Sequence, residues 1–203
     1  MQKGLFLLIL SALIGLLTGC STPPPAPAPE PIPEPVIPVE MPEPVVQSTL
    51  LTEMQDLAGE ITRSGGLAAL GTAESRSLEL ALNMAKRNGR LELARILNDR
   101  IEALAKAFSD ETEIPYDSLL LSGFNNTEKM LTGQIAGSIA QALKYESSGD
   151  KSTAYAIMAL DPKAIADQLA QEKDLYARLQ PTKAFGALDK EIKSFAAFKS
   201  AQK

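Results

Sequence analysis

A chain of 203 residues with a formal charge of −5 is long enough for one domain with appendages, and no Lys/Arg cluster is dense enough to neutralise a phosphate backbone, which sets nucleic acid aside as a partner. With no His and one Cys, the chain lacks the usual general base near neutral pH, the commonest transition-metal ligand, any internal disulfide and any thiolate zinc site, so no cofactor and no enzymatic activity are expected. Hydrophobic residues make up 45% but aromatics only 5%, with no Trp, so the core has to be built from Leu, Ile, Ala and Met, a composition that favours helices.

The amino end places one cation, Lys3, ahead of an apolar run from Leu5 to Leu17. That run has the length of a signal-peptide core and is short for a bilayer span of about 20 residues. It ends in Leu17-Thr18-Gly19-Cys20, which resembles the lipobox of bacterial lipoprotein precursors: an apolar residue, two small residues, then cysteine. Thr18 and Gly19 are small enough to enter a signal peptidase site, and Cys20 is the one soft nucleophile able to take a thioether-linked diacylglycerol. The alternative is an unmodified Cys20 in an uncleaved anchor helix. The resemblance implies residues 1–19 as a signal peptide and several acyl chains on Cys20, the site of lipidation. Each buried CH₂ contributes about 0.8 kcal/mol, so such an anchor is effectively permanent. Ser21 holds the sorting position and is not the Asp associated with inner-membrane retention, so the resemblance also implies the outer membrane, with the body facing the periplasm.

All of the 14 prolines except Pro115, Pro162 and Pro181 fall between Pro23 and Pro44. Proline fixes φ and removes an amide donor, so residues 20–45 read as a lipidated cysteine followed by a stiff polyproline II spacer. At about 3.1 Å per residue the spacer reaches about 70 Å when extended. Glu30, Glu34, Glu40 and Glu43 keep it solvated. A docking site for a polyproline-reading module is the alternative use.

Residues 46–203 are expected to form a single globular domain close to neutral, since 19 of the 20 basic and 21 of the 25 acidic side chains lie there. Leu50, Leu51, Met54, Leu57, Ala58 and Ile61 recur at helical spacing, which predicts a helix from Ser48 to about Ile61, ended by Gly65-Gly66. Gly66 to Ser75, short and bounded by glycines, predicts a buried strand, with Ser75 as N-cap of the next helix. From Arg76 the residues Leu78, Leu82, Ala85, Gly89, Leu93, Ile96 or Leu97, Ile101, Leu104 and Phe108 step by three and four along the longest helical stripe of the chain.

The stretch from Gly65 to Ala94 resembles the Lpp-twenty family of small outer-membrane lipoproteins. In that family a strand enters a long helix with small residues every four positions, followed by Arg-x-Glu-Leu-Ala. Ala81, Ala85 and Gly89 supply the spacing, and Arg90-Leu91-Glu92-Leu93-Ala94 the tail. Small side chains at such steps let a helix approach a sheet closely, with Leu93 behind them. Gly89 stands where Ala is commoner, at a cost of up to about 1 kcal/mol in helix propensity.

Pro115 to Leu121 reads as a short helix or loop. Between Met130 and Ser147 the pattern is ambiguous, because Ile135, Ile139 and Leu143 lie four apart as on a helix, yet with Tyr145 they also share one face of a strand. The glycines and the Ser147–Asp150 turn favour a strand, with Ser152–Asp161 as its hairpin partner, and the resemblance implies the same pairing. Asp161-Pro162 predicts an N-cap and first-turn proline for a helix to about Leu179. After Pro181 a last amphipathic helix carries Phe185, Leu188, Ile192, Phe195 and Phe198. The expected class is α+β, a small antiparallel sheet on a long helix with flanking helices, with an all-α bundle as the alternative.

Groups with catalytic potential do not converge. The carboxylate run Ser109–Glu113 reads as a solvated loop rather than a metal site, and Ser148-x-x-Lys151 as a hairpin turn. Tyr145, Tyr155 and Tyr176 read as edges of the core or the lining of a groove, and Lys190, Lys193 and Lys199 as the solvated side of the last helix or a contact with a partner or membrane. The expected function is structural or interactive: an outer-membrane lipoprotein of the cell envelope. The resemblance implies self-assembly into a homo-oligomer or association with another envelope protein, the flagellum included. The alternative is a lipoprotein that regulates a peptidoglycan synthase.

Overall fold

The computed structural model describes residues 48–115 and 118–202. The signal peptide, Cys20, Ser21 and the proline spacer lie outside the described residues. Ser48 opens the first helix, α1 (Thr49–Arg63), by accepting a hydrogen bond from the Leu51 amide at 3.0 Å. Gly65, at φ +95, turns the chain out of α1 in a conformation that L side chains disfavour. Strand β1 (Leu67–Ser75) follows, and then α2 (Leu78–Thr112), a single helix of 35 residues, about 50 Å long at about 1.5 Å per residue. Its N-cap is Ser77, whose hydroxyl accepts from the Leu80 amide. Ser75, expected in that role, accepts instead from the Ser77 amide and shapes the turn before the helix.

The three strands order as β1-β3-β2, all antiparallel. Strand β3 (Lys151–Leu160) is central, pairing Leu67 with Leu160 on one side and Ala142 with Ile157 on the other. Its hairpin with β2 (Ala142–Ser148) turns at Gly149, φ +60, as the turn residues require. The α+β class is therefore established, and the sheet rules out the all-α alternative.

Helix α2 lies across one face of the sheet, and the approach is set by small residues. Ala81, Ala85, Ala154 and Ala156 form a fully buried cluster, and a Cβ on Gly71 would collide with the Ala85 carbonyl oxygen and the Gly89 amide nitrogen. Ala81 is fully buried at the head of the Ala81-Ala85-Gly89 line, as that spacing implied, and Leu82 of the apolar stripe is half-buried against the same cluster. The opposite face carries α1, with Met54, Ile61, Ala68, Tyr155, Ile157 and Phe195 as a second core.

Beyond the sheet α2 continues into a helical core. Leu93, Leu97, Ile101, Leu104 and Phe108 pack against α3 (Ser122–Ala136), α4 (Lys163–Leu169), α5 (Lys173–Leu179) and α6 (Lys183–Ala201). The segment read as a strand from Met130 divides: Met130–Ala136 closes α3, and only Ala142–Ser148 is strand. The buried line Phe124, Thr127, Leu131, Ile135 has helical spacing and starts upstream of the ambiguous stretch. It outweighs Gly133, which sits exposed and harmless in the helix. The helix expected from Asp161 to Leu179 is two helices. Ile165 and Leu169 lie four apart, as do Leu175 and Leu179, but the step of six between Leu169 and Leu175 does not fit one helical face, so the chain bends at Gln171–Glu172 to bury all four. The N-cap position falls on Pro162, one residue later than expected, and Asp161 stands just before it with its Oδ1 accepting from the Lys163 amide at 2.8 Å.

Candidate interaction surface

The residues singled out for chemistry are dispersed. Ser109–Thr112 belongs to the last turn of α2, and Glu113 leaves it in the left-handed region, φ 57. Glu111 has a structural task the sequence did not disclose: its carboxylate accepts from the Lys183 amide at 3.0 and 2.9 Å, at the positive end of α6. Ser148 and Lys151 flank the hairpin turn, and Lys151 pairs with Glu74 at 2.6 Å, which raises the ammonium pKa. Tyr145 and Tyr155 point to opposite faces of the sheet, since their cross-strand partners are Ala154 and Lys144, while Tyr176 packs edge-on against Phe185 at 5.6 Å. The three line no common groove. On α6, Lys193 pairs with Asp189 at 2.5 Å, and Lys199 pairs with Asp161 above the Phe195 ring. Among the described residues no group of three or more His, Cys, Asp or Glu comes together.

Tyr155 ties the start of α1 to the sheet. Its hydroxyl donates to Glu146 Oε1 at 2.5 Å and lies 3.2 Å from Ser48 Oγ. Burial first, then the Glu146 carboxylate, push the phenol above its ordinary value of 10.0, against a lowering by Ser48. A raised folded-state pKa means the contribution is fully present below about pH 10 and is lost as pH climbs through the raised value. Thermal melts across that range should therefore show an alkaline fall in Tm that flattens in Tyr155→Phe. An equal fall in both would assign it to other groups.

Clefts of about 520 Å³ and about 270 Å³ flank α2, and their polar groups are largely engaged. In the first, Arg100 and Glu191 pair at 2.5 Å. In the second, Arg90 donates to the Ser138 carbonyl at 2.6 Å. What remains open is apolar surface. Helix α2 covers β1 and β3 but leaves β2 bare on the same face, so Leu143 is 40% and Tyr145 53% exposed. Leu80, Met84 and Leu91 form a second exposed line on the outer side of α2. Sequence reasoning missed both, although those three residues stand off the Ala81-Ala85-Gly89 line and were legible as a second stripe.

No described helix is long and apolar enough to cross a membrane. Comparison with family models, with characterised proteins and with solved structures returns no match.

Proposed function

We propose that this chain is a lipoprotein of the Lpp-twenty type, anchored in a bacterial outer membrane through acyl chains on Cys20, whose domain faces the periplasm and acts in the envelope by binding other proteins rather than by catalysis. The observation that carries the reading is Leu17-Thr18-Gly19-Cys20 at the end of the apolar run, followed at once by the proline spacer. The fold supports it in one respect. The small residues of the stretch that carries the resemblance have a physical use, since a Cβ on Gly71 would collide with the Ala85 and Gly89 backbone of α2. The bare apolar face of β2 and the outer stripe of α2 are surfaces of the kind that partners cover.

The test is Cys20→Ala in a didermic bacterium, followed by fractionation. Nearly all of the parent protein should sediment with the outer membrane, and nearly all of the variant should move to the soluble or inner-membrane fraction. A variant still lodged in the outer membrane would overturn the anchor.

A further inference from the structure

We infer that β2 pairs edge to edge with β2 of a second copy of this chain, about a two-fold axis through Tyr145, joining two three-stranded sheets into one. This rests on the reading of the domain as a binding module, but not on the anchor.

Among the described residues strand β2 is an edge, with β3 on one side and no strand on the other, and an unpaired edge is a template for another strand. The opposite edge is less open, because Asn88 of α2 donates to the Thr72 carbonyl of β1 at 2.8 Å.

An antiparallel two-fold contact has its axis normal to the sheet, so residues on one face of β2 meet residues on the same face of its copy. On the α2 side these are Leu143, Tyr145 and Ser147, and on the α1 side Ala142, Lys144 and Glu146. Charge then selects the register. Centring the axis on Lys144 sets Lys144 against its own copy, and centring it on Glu146 sets Glu146 against its copy. Centring it on Tyr145 sets Lys144 opposite Glu146 twice over, stacks the two tyrosines, and brings each Leu143 within diagonal reach of the other copy's Tyr145. Lys144 also holds Glu53, and Glu146 accepts from Tyr155. An ammonium with three donors and a carboxylate with a second oxygen can serve both partners.

The same axis keeps both α1 helices on one side of the joined sheet. The chain enters the described domain at Ser48, held to Tyr155 on that side, so both copies present their amino ends to the same surface. Two copies anchored in one membrane are compatible with that arrangement. Two seven-residue edges are a small contact, so the solution dimer should be weak, and confinement to a membrane raises the effective concentration.

The test uses the full chain carrying Cys20→Ala, which leaves it without thiols. Light scattering should show a shift from monomer toward twice the monomer mass as concentration rises to about 100 µM. Adding Tyr145→Cys should yield a covalent dimer under mild oxidation that reductant reverses, whereas Ser200→Cys should not. Lys144→Glu and Glu146→Lys should each weaken the dimer at least about fivefold, and combining them should restore it, because the pairing is rebuilt with the signs exchanged. The melting temperature of each variant reports whether its monomer is intact. A chain that stays monomeric, including one that instead binds lipid vesicles or only a different protein, overturns the proposal. So does a dimer that Tyr145→Cys fails to trap or that the charge exchange fails to restore. Neither result bears on Cys20, whose fractionation test stands apart.

Discussion

Gly71→Ala is expected to destabilise the domain by about 3 kcal/mol or more, at the upper end of what overpacking costs, because the added methyl meets two backbone groups that cannot rotate aside. Its obstacles are the Ala85 carbonyl oxygen and the Gly89 amide nitrogen, both inside α2, so relief requires moving the whole helix off the sheet. Gly89→Ala should cost less. There the added carbon comes 2.8 Å from Met158 Cγ and 3.3 Å from the Ala156 oxygen and Gly71 nitrogen, looser than the backbone contacts at Gly71, and alanine returns up to about 1 kcal/mol of helix propensity. Gly133→Ala is the internal control. It meets nothing within 4 Å on the exposed side of α3 and should stabilise the domain by up to about 1 kcal/mol. Urea unfolding of the three variants checks the order. A Gly71→Ala domain as stable as its parent would mean that β1 and α2 do not approach as described.

That contact also shows what a linear pattern can and cannot disclose. The step of four from Ala81 to Ala85 to Gly89 announced a close helix–sheet approach, and the long stripe through Leu93, Ile101 and Phe108 announced α2 itself, because both are local periodicities. The strand partner of Gly89 was not legible, since Gly71 becomes indispensable only when a helix lies on it. Met130–Ala136 was misread because Ile135, Ile139, Leu143 and Tyr145 share one parity as well as, for the first three, a step of four, and such a pattern cannot show where one element stops. The helical signal lay upstream, in Phe124, Thr127 and Leu131. The bend at Gln171 follows from where Leu169 and Leu175 must both go, which is a property of the core and not of the segment. At the candidate surface, Leu143 and Tyr145 looked like core residues. They are exposed because α2 is placed over β1 and β3 rather than β2, a matter of tertiary arrangement.

Phe108→Ala is expected to remove about 3–5 kcal/mol, since its ring is fully buried in the helical core and packs against Phe124 at 5.9 Å between centroids. Against a total of about 5–15 kcal/mol for a domain, that loss brings the protein near its threshold. The two halves of the fold differ in kind. The α2 face of the sheet rests on alanines and glycines, each burying little apolar area, whereas the helical half buries Leu, Ile and Phe side chains worth about 1.5–3 kcal/mol apiece. Yet α2 runs through both, and α6 joins them again, with Leu188 in the helical core and Phe195 under the sheet. The sheet should therefore draw its stability from the helical half. Phe108→Ala should lower amide protection in β3 by nearly as much as in α3, in a single cooperative transition. Protection lost from α3 to α5 while β1 and β3 keep theirs would show instead that the alanine-lined sheet stands without the helices beyond it.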